Sequence, residues 1–249
     1  MAASGNAIVT GAASGIGAAT ASELAARGYR VALLDRNGKG AKAVATTLPQ
    51  VDAGAHFAFE VDVADEPTLV ETFAMAVAYL GTLDALVTSA GVADMTPFMD
   101  LDAATFRQVY DDNVVGTFLC LREAGRHMPR GGRICTVASV AGLRGGGLSG
   151  TAAYAASKGA VLALTKSAAR ALAERGISVN TIAPGATLTP MIEEAWRNDA
   201  HRRRVEAMSV MNRTGAPDEI ARAIAFLVSP DASYITGATL VADGGLVMY

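Results

Sequence analysis

The chain has 249 residues, 51% hydrophobic, 18% charged and 6% aromatic, with a formal net charge of −3. High hydrophobicity with little net charge excludes a disordered chain, and two cysteines exclude a disulfide framework. The slightly acidic balance lacks the basic footprint of a nucleic-acid binder.

Residues 7–10 read as a short buried strand bounded by Gly11, and 14–27 as a helix that Gly28 ends. A second strand, 30–35, closes on Asp35. Residues 38–48 read as a helix stopped by Pro49, and 55–63 as a third strand. Asp65-Glu66-Pro67 opens the next helix, with Asp65 as N-cap and proline in the first turn, where its missing N–H is harmless. That helix runs to Tyr79 and Gly81 closes it; 84–88 is a fourth strand. A long helical region, 102–127, stops before Pro129 and Gly131-Gly132, and 133–138 is a fifth strand. A helix at 152–175, capped by Gly176, leads to a sixth strand at 177–182. Helical pieces at 191–208 and 217–227 and a short strand at 239–242 complete the order.

Strands alternating with helices through short loops specify a parallel sheet with helices on both faces. Continuous apolar strands fit a sheet covered on both sides. The expected fold is one α/β domain over residues 1–249, Rossmann-like and doubly wound, with a mostly or wholly parallel seven-stranded sheet. No run of about 20 apolar residues is long enough to cross a membrane, and no basic segment precedes an apolar one as in a signal peptide. A soluble, cytoplasmic protein is expected, with Cys120 and Cys135 as free thiols. His56, His127 and His201 lack metal-ligand spacing, so no metal is expected.

The first strand leads into Thr10-Gly11-Ala12-Ala13-Ser14-Gly15-Ile16-Gly17 and then a helix. Glycines allow the backbone to turn tightly and approach a pyrophosphate, and the helix N-terminus adds N–H donors and the positive dipole end. Gly11, Ser14, Gly15, Ile16 and Gly17 are therefore candidate cofactor contacts. Asp35 ends the second strand at the distance from which an acid bonds the ribose hydroxyls of NAD and repels the 2′-phosphate of NADP. Arg36 follows it and softens that preference, but no cation lies between Gly11 and Gly15. NAD is the expected cofactor, ahead of NADP.

Tyr154 and Lys158 stand four apart in a predicted helix and share a face. A phenol's ordinary pKa is near 10, and a neighbouring ammonium lowers it, which makes tyrosine a usable acid–base group. The same spacing also serves a tyrosine ring packed on a lysine stem. Ser139 ends the fifth strand, where open α/β sheets hold ligands.

Together these features resemble the short-chain dehydrogenase/reductase family, in its compact form of about 250 residues. The resemblance covers nearly the whole chain. It rests on Thr10 to Gly17, Asp62-Val63, Ala90-Gly91, Asn113, Ser139, Tyr154 with Lys158, Pro184-Gly185 with Thr189, Ile235-Thr236-Gly237 and Asp243-Gly244-Gly245. It implies that Tyr154 exchanges a proton with the substrate oxygen and that Ser139 polarises that oxygen. Lys158 would hold the nicotinamide ribose and lower the tyrosine pKa, and Asn113, in a helix kink, would hold a water of the proton relay. Asp62 and Val63 would flank the adenine, Ser89, Ala90 and Gly91 would approach the cofactor, and Pro184, Gly185, Thr187 and Thr189 would shape its nicotinamide end.

Two departures stand out. The family's usual Asn before Ala-Gly is Ser89 here, and the segment from Ser139 to Tyr154 is about two residues longer than is common, with Arg144 and the tract Gly145-Gly146-Gly147 inside it. The resemblance places a substrate lid at 186–216, holding Met191, Ile192, Trp196 and the basic run His201-Arg202-Arg203-Arg204. Ser139, Tyr154, Arg144 and Trp196 are the substrate candidates. The implied activity is interconversion of a secondary alcohol and its ketone by hydride transfer, in a homotetramer. The alternatives are an NADPH-preferring 3-oxoacyl thioester reductase and a non-catalytic dinucleotide-binding protein.

Overall fold

The computed structural model describes residues 5–52, 54–146 and 152–248. Its strands are β1 (Gly5–Thr10), β2 (Tyr29–Asp35), β3 (Phe57–Glu60), β4 (Ala85–Thr88), β5 (Arg133–Val137), β6 (Ser178–Pro184) and β7 (Thr239–Ala242). Among the described residues they make one sheet in the order β3-β2-β1-β4-β5-β6-β7. Every neighbouring pair is parallel, so the sheet is wholly parallel. The order reverses between β1 and β4, and such a switch point opens a crevice at the carboxyl ends of the strands.

The helices are α1 (Gly15–Ala26), α2 (Gly38–Thr47), α3 (Glu66–Leu80), α4 (Ala103–Tyr110), α5 (Gly116–His127), α6 (Val140–Arg144), α7 (Ala152–Leu172), α8 (Pro190–Trp196), α9 (Asp199–Glu206) and α10 (Pro217–Leu227). Side chains on a strand alternate between its two faces. Val9, Leu33 and Val87 enter one layer with Leu24 of α1, Ala41 of α2 and Ile224 of α10. Ile8, Leu34 and Leu86 enter the other with Phe73 of α3, Leu119 of α5 and Ala168 of α7. Both sets are buried, which is why the strands carry no polar alternation.

Four local features differ from the sequence reading. The third strand is shorter, because Asp62 turns the chain by accepting a hydrogen bond from the Ala64 N–H at 3.0 Å. The region 102–127 is helical throughout but widens into a π turn at Asp111–Val115. Ser139, read as the end of the fifth strand, caps a short helix, α6, that the sequence reading did not include. The helix expected at 191–208 breaks after Trp196, and Asn198 caps the second piece through the His201 N–H. Gly147 of the glycine tract lies outside the described residues.

Candidate active site

The loops after β1, β2, β3, β4, β5 and β6 enclose one cleft. It brings together Gly11, Ser14, Gly15, Ile16, Gly17, Asp35, Arg36, Asp62, Val63, Ser89, Ala90, Gly91, Ser139, Tyr154, Lys158, Pro184, Gly185, Thr187 and Thr189. The single sheet edge gathers them, since each follows a strand that ends on the same side.

The glycine loop is tight in the way a diphosphate cradle requires. Gly11 has φ +66°, and a methyl on its Cα would lie 2.6 Å from the Ala90 nitrogen. A methyl on Gly17 would collide with the Gly11 carbonyl. Ser14 opens α1 without a side-chain cap, and the first turn holds no acid. The helix thus offers N–H donors and its positive end to the cleft. Asp35 also braces this loop: its Oδ2 accepts from the Ala13 N–H at 2.9 Å and its Oδ1 from the Asn37 N–H at 2.8 Å. These features fit a nicotinamide dinucleotide, with the diphosphate on the loop and α1 and a ribose beside Asp35.

At the other end, α6 and α7 present Ser139, Tyr154 and Lys158. Ser139 is the N-cap of α6, its Oγ accepting from the Ala141 N–H at 3.1 Å. The helix lies against α7 because Gly142 carries no side chain; a methyl there would sit 2.6 Å from the Gly159 nitrogen. The Tyr154 phenol is hydrogen-bonded to Ser139. Lys158 is buried and donates from Nζ to the Val137 carbonyl at 2.9 Å. Its Nζ stands 5.8 Å from the centre of the Tyr154 ring.

The electrostatics differ from the spacing argument. Burial raises the Tyr154 phenol above its ordinary 10.0, and the Ser139 hydrogen bond only partly opposes that. Burial also pushes Lys158 down to about 8. Removing both groups from water outweighs the attraction inferred from their spacing.

Asn113 lies in the π turn and is fully buried. Its side chain clamps the loop after β4: Oδ1 accepts from the Val92 N–H at 2.8 Å, and Nδ2 donates to the Val92 carbonyl and to Ser157 Oγ, both at 2.9 Å. Its own carbonyl accepts from Thr117 Oγ1 at 2.8 Å. Asn113→Leu leaves the polar groups of Val92 unpaired, so a loss of about 2–4 kcal/mol in stability is expected, read from the denaturation midpoint. An unchanged midpoint would reject this clamping role.

Arg144 and Trp196 are not among the cleft-lining residues. Arg144 is exposed at the end of α6. Trp196 packs in a small cluster with Ile192 and Val205 and meets His201 edge-on. The cleft also contains residues the sequence reading passed over, among them Val92, Asp112 and Val140. Val140 could have been found as the neighbour of Ser139; Asp112 had no signal, because an acid in mid-helix reads as a solvated face. Among the described residues, no three His, Cys, Asp or Glu side chains are grouped to hold a metal ion. None of the described helices is long and apolar enough to cross a membrane.

Comparison with known proteins places this geometry. Residues 11–247 match a family model described as enoyl-(acyl carrier protein) reductase. The D-threitol dehydrogenase of Mycolicibacterium smegmatis is 41% identical over 244 residues, covering 96% of this chain and 91% of that protein. The cis-4-hydroxycyclohexanecarboxylate dehydrogenase of Sinomonas cyclohexanicum is 43% identical over 244 residues, covering 96% and 95%. A crystal structure of a short-chain dehydrogenase from Burkholderia cenocepacia in complex with NADP superposes with a TM-score of 0.88 at 33% identity, covering 96% of each chain.

Proposed function

The chain belongs to the short-chain dehydrogenase/reductase family, and we propose that it is an NAD(H)-dependent oxidoreductase interconverting a secondary alcohol and its ketone. The observation that carries the reading is the convergence of Ser139, Tyr154 and Lys158 on the cleft that also holds the glycine loop and Asp35. When bound, the nicotinamide supplies or accepts the hydride at the substrate carbon.

The residues of the chain supply the rest. Tyr154 Oη exchanges the proton of the substrate oxygen. Ser139 Oγ hydrogen-bonds the same oxygen, its direction fixed by the Ala141 N–H. Lys158 keeps its ammonium in the cleft floor through the Val137 carbonyl, from where it would hold the nicotinamide ribose. Because burial raises the phenol pKa, Tyr154 carries its proton at neutral pH and is suited to act as the acid in ketone reduction. Alcohol oxidation needs the phenolate, so its rate is expected to climb with pH above neutrality.

Residues 186–216 are proposed as the substrate lid. Its ends are pinned together, Leu188 N–H to the Gly215 carbonyl and Gly215 N–H to the Ala186 carbonyl, both at 2.9 Å. The M. smegmatis and S. cyclohexanicum relatives point to a polyol or a cyclic hydroxy acid as substrate classes. A cytoplasmic homotetramer is the proposed working form, in line with exposed Phe98, Met99, Phe118 and Tyr234.

Asp35 carries the cofactor preference. Its charge at the ribose end favours NADH and disfavours the 2′-phosphate of NADPH. Fluorescence titration is expected to show NADH binding more tightly than NADPH, and Asp35→Asn is expected to narrow that ratio about tenfold. The amide keeps an acceptor for the Ala13 N–H while removing the charge. Tighter binding of NADPH by the unaltered protein would reject the NAD assignment in favour of an NADPH-preferring 3-oxoacyl thioester reductase, a reading that Arg36 in the cleft also allows. Screening NAD+ reduction across secondary alcohols, polyols and hydroxy acids tests the activity itself; no turnover on any class would favour a non-catalytic dinucleotide-binding protein.

A further inference from the structure

We infer that Gly142 is a positioning residue for the reaction: its bare Cα seats α6 against the backbone of Lys158 and so sets the spacing between Ser139 Oγ and the Tyr154 phenol. The inference rests on the reading of Ser139 and Tyr154 as the pair that handles the substrate oxygen.

Ser139 stands where two supports meet. Before it, the sheet fixes the chain: the Ala138 N–H donates to the Ile182 carbonyl at 2.8 Å, and the Val137 carbonyl accepts from Lys158 Nζ at 2.9 Å. After it, α6 sets its direction. The Gly142 N–H donates to the Ser139 carbonyl at 3.0 Å, and the Ala141 N–H to Ser139 Oγ at 3.1 Å. Ser139 and Gly142 are thus the ends of one turn, and a displacement of Gly142 is carried to the hydroxyl. Beyond the far end of α6, Gly145 has φ +79°, and a methyl there would meet nothing within 4 Å. That end does not hold the helix in place.

The seat is at Gly142. A methyl on its Cα would lie 2.6 Å from the Gly159 nitrogen and from the Lys158 carbonyl carbon, and 2.9 Å from the Lys158 carbonyl oxygen. All three are backbone atoms of α7 and cannot swing aside as a side chain would. Non-bonded atoms ordinarily rest about 3.5 Å apart or more, so any side chain would push α6 away by about 1 Å. Tyr154 lies one turn before Lys158 on the same helix, so the shift opens directly between the phenol and Ser139. A displacement of that size is enough to slow a reaction about a hundredfold. The opposite face of the crossing is tolerant: a methyl on Gly159 would stand 3.4 Å from the Gly142 carbonyl oxygen, an ordinary contact. Alanine is otherwise the better helix former, so the contact, and not the helix, calls for glycine at 142.

Gly142→Ala is expected to lower kcat about a hundredfold and to leave the calorimetric dissociation constant of NADH within about twofold. A direct reading of the pair is the phenolate absorbance of Tyr154, taken as the difference between each protein and its Tyr154→Phe form. The Ser139 hydrogen bond favours the phenolate, so its loss in Gly142→Ala moves that titration to higher pH, by about 0.5 or more. Ser139→Ala is expected to move it equally. Gly142→Ala added to Ser139→Ala should move it no further and lower kcat by less than about threefold more. Gly159→Ala is expected to match the unaltered protein within about twofold on both readings. A loosened fold would lower stability without this dependence on Ser139. An unmoved Tyr154 titration in Gly142→Ala, a kcat within about threefold of the unaltered protein, or full additivity with Ser139→Ala overturns the inference. If no protein of the series turns over an alcohol, the proposed reaction fails, and the Tyr154 titration alone decides whether Gly142 sets the spacing. If Gly142→Ala does not fold, Gly159→Val, which crowds the same contact from α7, takes its place: a shift of the Tyr154 titration to higher pH supports the inference, and no shift overturns it.

Discussion

Tyr154→Phe is expected to lower kcat about a thousandfold while leaving the dissociation constant for NADH within about twofold. The substitution removes one oxygen and keeps the ring, so the packing of Tyr154 with Ala141 and Ala155 survives. What is lost is the group proposed to carry the proton, with its hydrogen bond to Ser139. The pH behaviour separates this role from a packing role. In the unaltered protein, alcohol oxidation rises with pH as the buried phenol ionises, and ketone reduction falls over the same range. Residual turnover of the variant should lack both limbs. Single-turnover kinetics from about pH 7 to about pH 11, a range that passes through ordinary tyrosine titration near 10, with calorimetric binding alongside, gives both readings. Turnover within tenfold of the unaltered protein would remove Tyr154 from the chemistry.

Lys158→Met is expected to cost activity and gain stability together. Burial pushes the lysine from an ordinary 10.5 down to about 8. The ammonium is therefore disfavoured in the folded state by about 3 kcal/mol at pH 7. Methionine fills similar space without that cost, although the Val137 carbonyl loses its donor, worth about 1–2 kcal/mol. A net gain of about 2 kcal/mol, or several degrees in Tm, is expected at pH 7. The direction with pH follows from proton counts. Between pH 8 and 10.5 the unfolded chain holds a proton on Lys158 that the folded chain has released. Raising the pH through that window therefore stabilises the unaltered protein, and its deficit against the variant closes. Below pH 8 both states are protonated and the deficit is constant. Activity should fall at least about a hundredfold, because the charge proposed to hold the nicotinamide ribose is gone. A variant no more stable than the parent at pH 7, or a gap that widens toward pH 10, would show that the buried charge is not a burden.

Most of the architecture was legible because a parallel sheet covered on both faces writes its strands as unbroken apolar runs. Val9, Leu33 and Val87 are each fully buried, and an apolar residue precedes each of them along its strand. The shortened β3 was not legible, since Val61 and Val63 continue the apolar run while Asp62 ends the strand through a side-chain bond to the Ala64 N–H. Helix α6 was hidden for the opposite reason: its few residues are too short for periodicity, and its cap, Ser139, also reads as a turn residue. The glycine loop, Asp35, Ser139, Tyr154 and Lys158 could be read from their order and spacing. Their ionisation could not, because burial is set by neighbours far apart in the chain. Asp112 was missed on the same ground. Only the wide turn and the loop after β3 make a mid-helix acid part of the cleft.

The join between the glycine loop and the loop after β4 sets a schedule for synthesis. The Ala90 N–H donates to Thr10 Oγ1 at 3.2 Å, across 80 residues of chain, and β1 pairs with β4 beside it. At ribosomal rates of about 5–20 residues per second, roughly 4–16 s separate the two halves of this contact. Through that interval β1 has β2 on one side and an unpaired edge on the other. An open edge of buried-type sequence is what chaperones engage and what aggregation exploits. The part of the cleft floor that joins these two loops can therefore form only after Ala90 has been made.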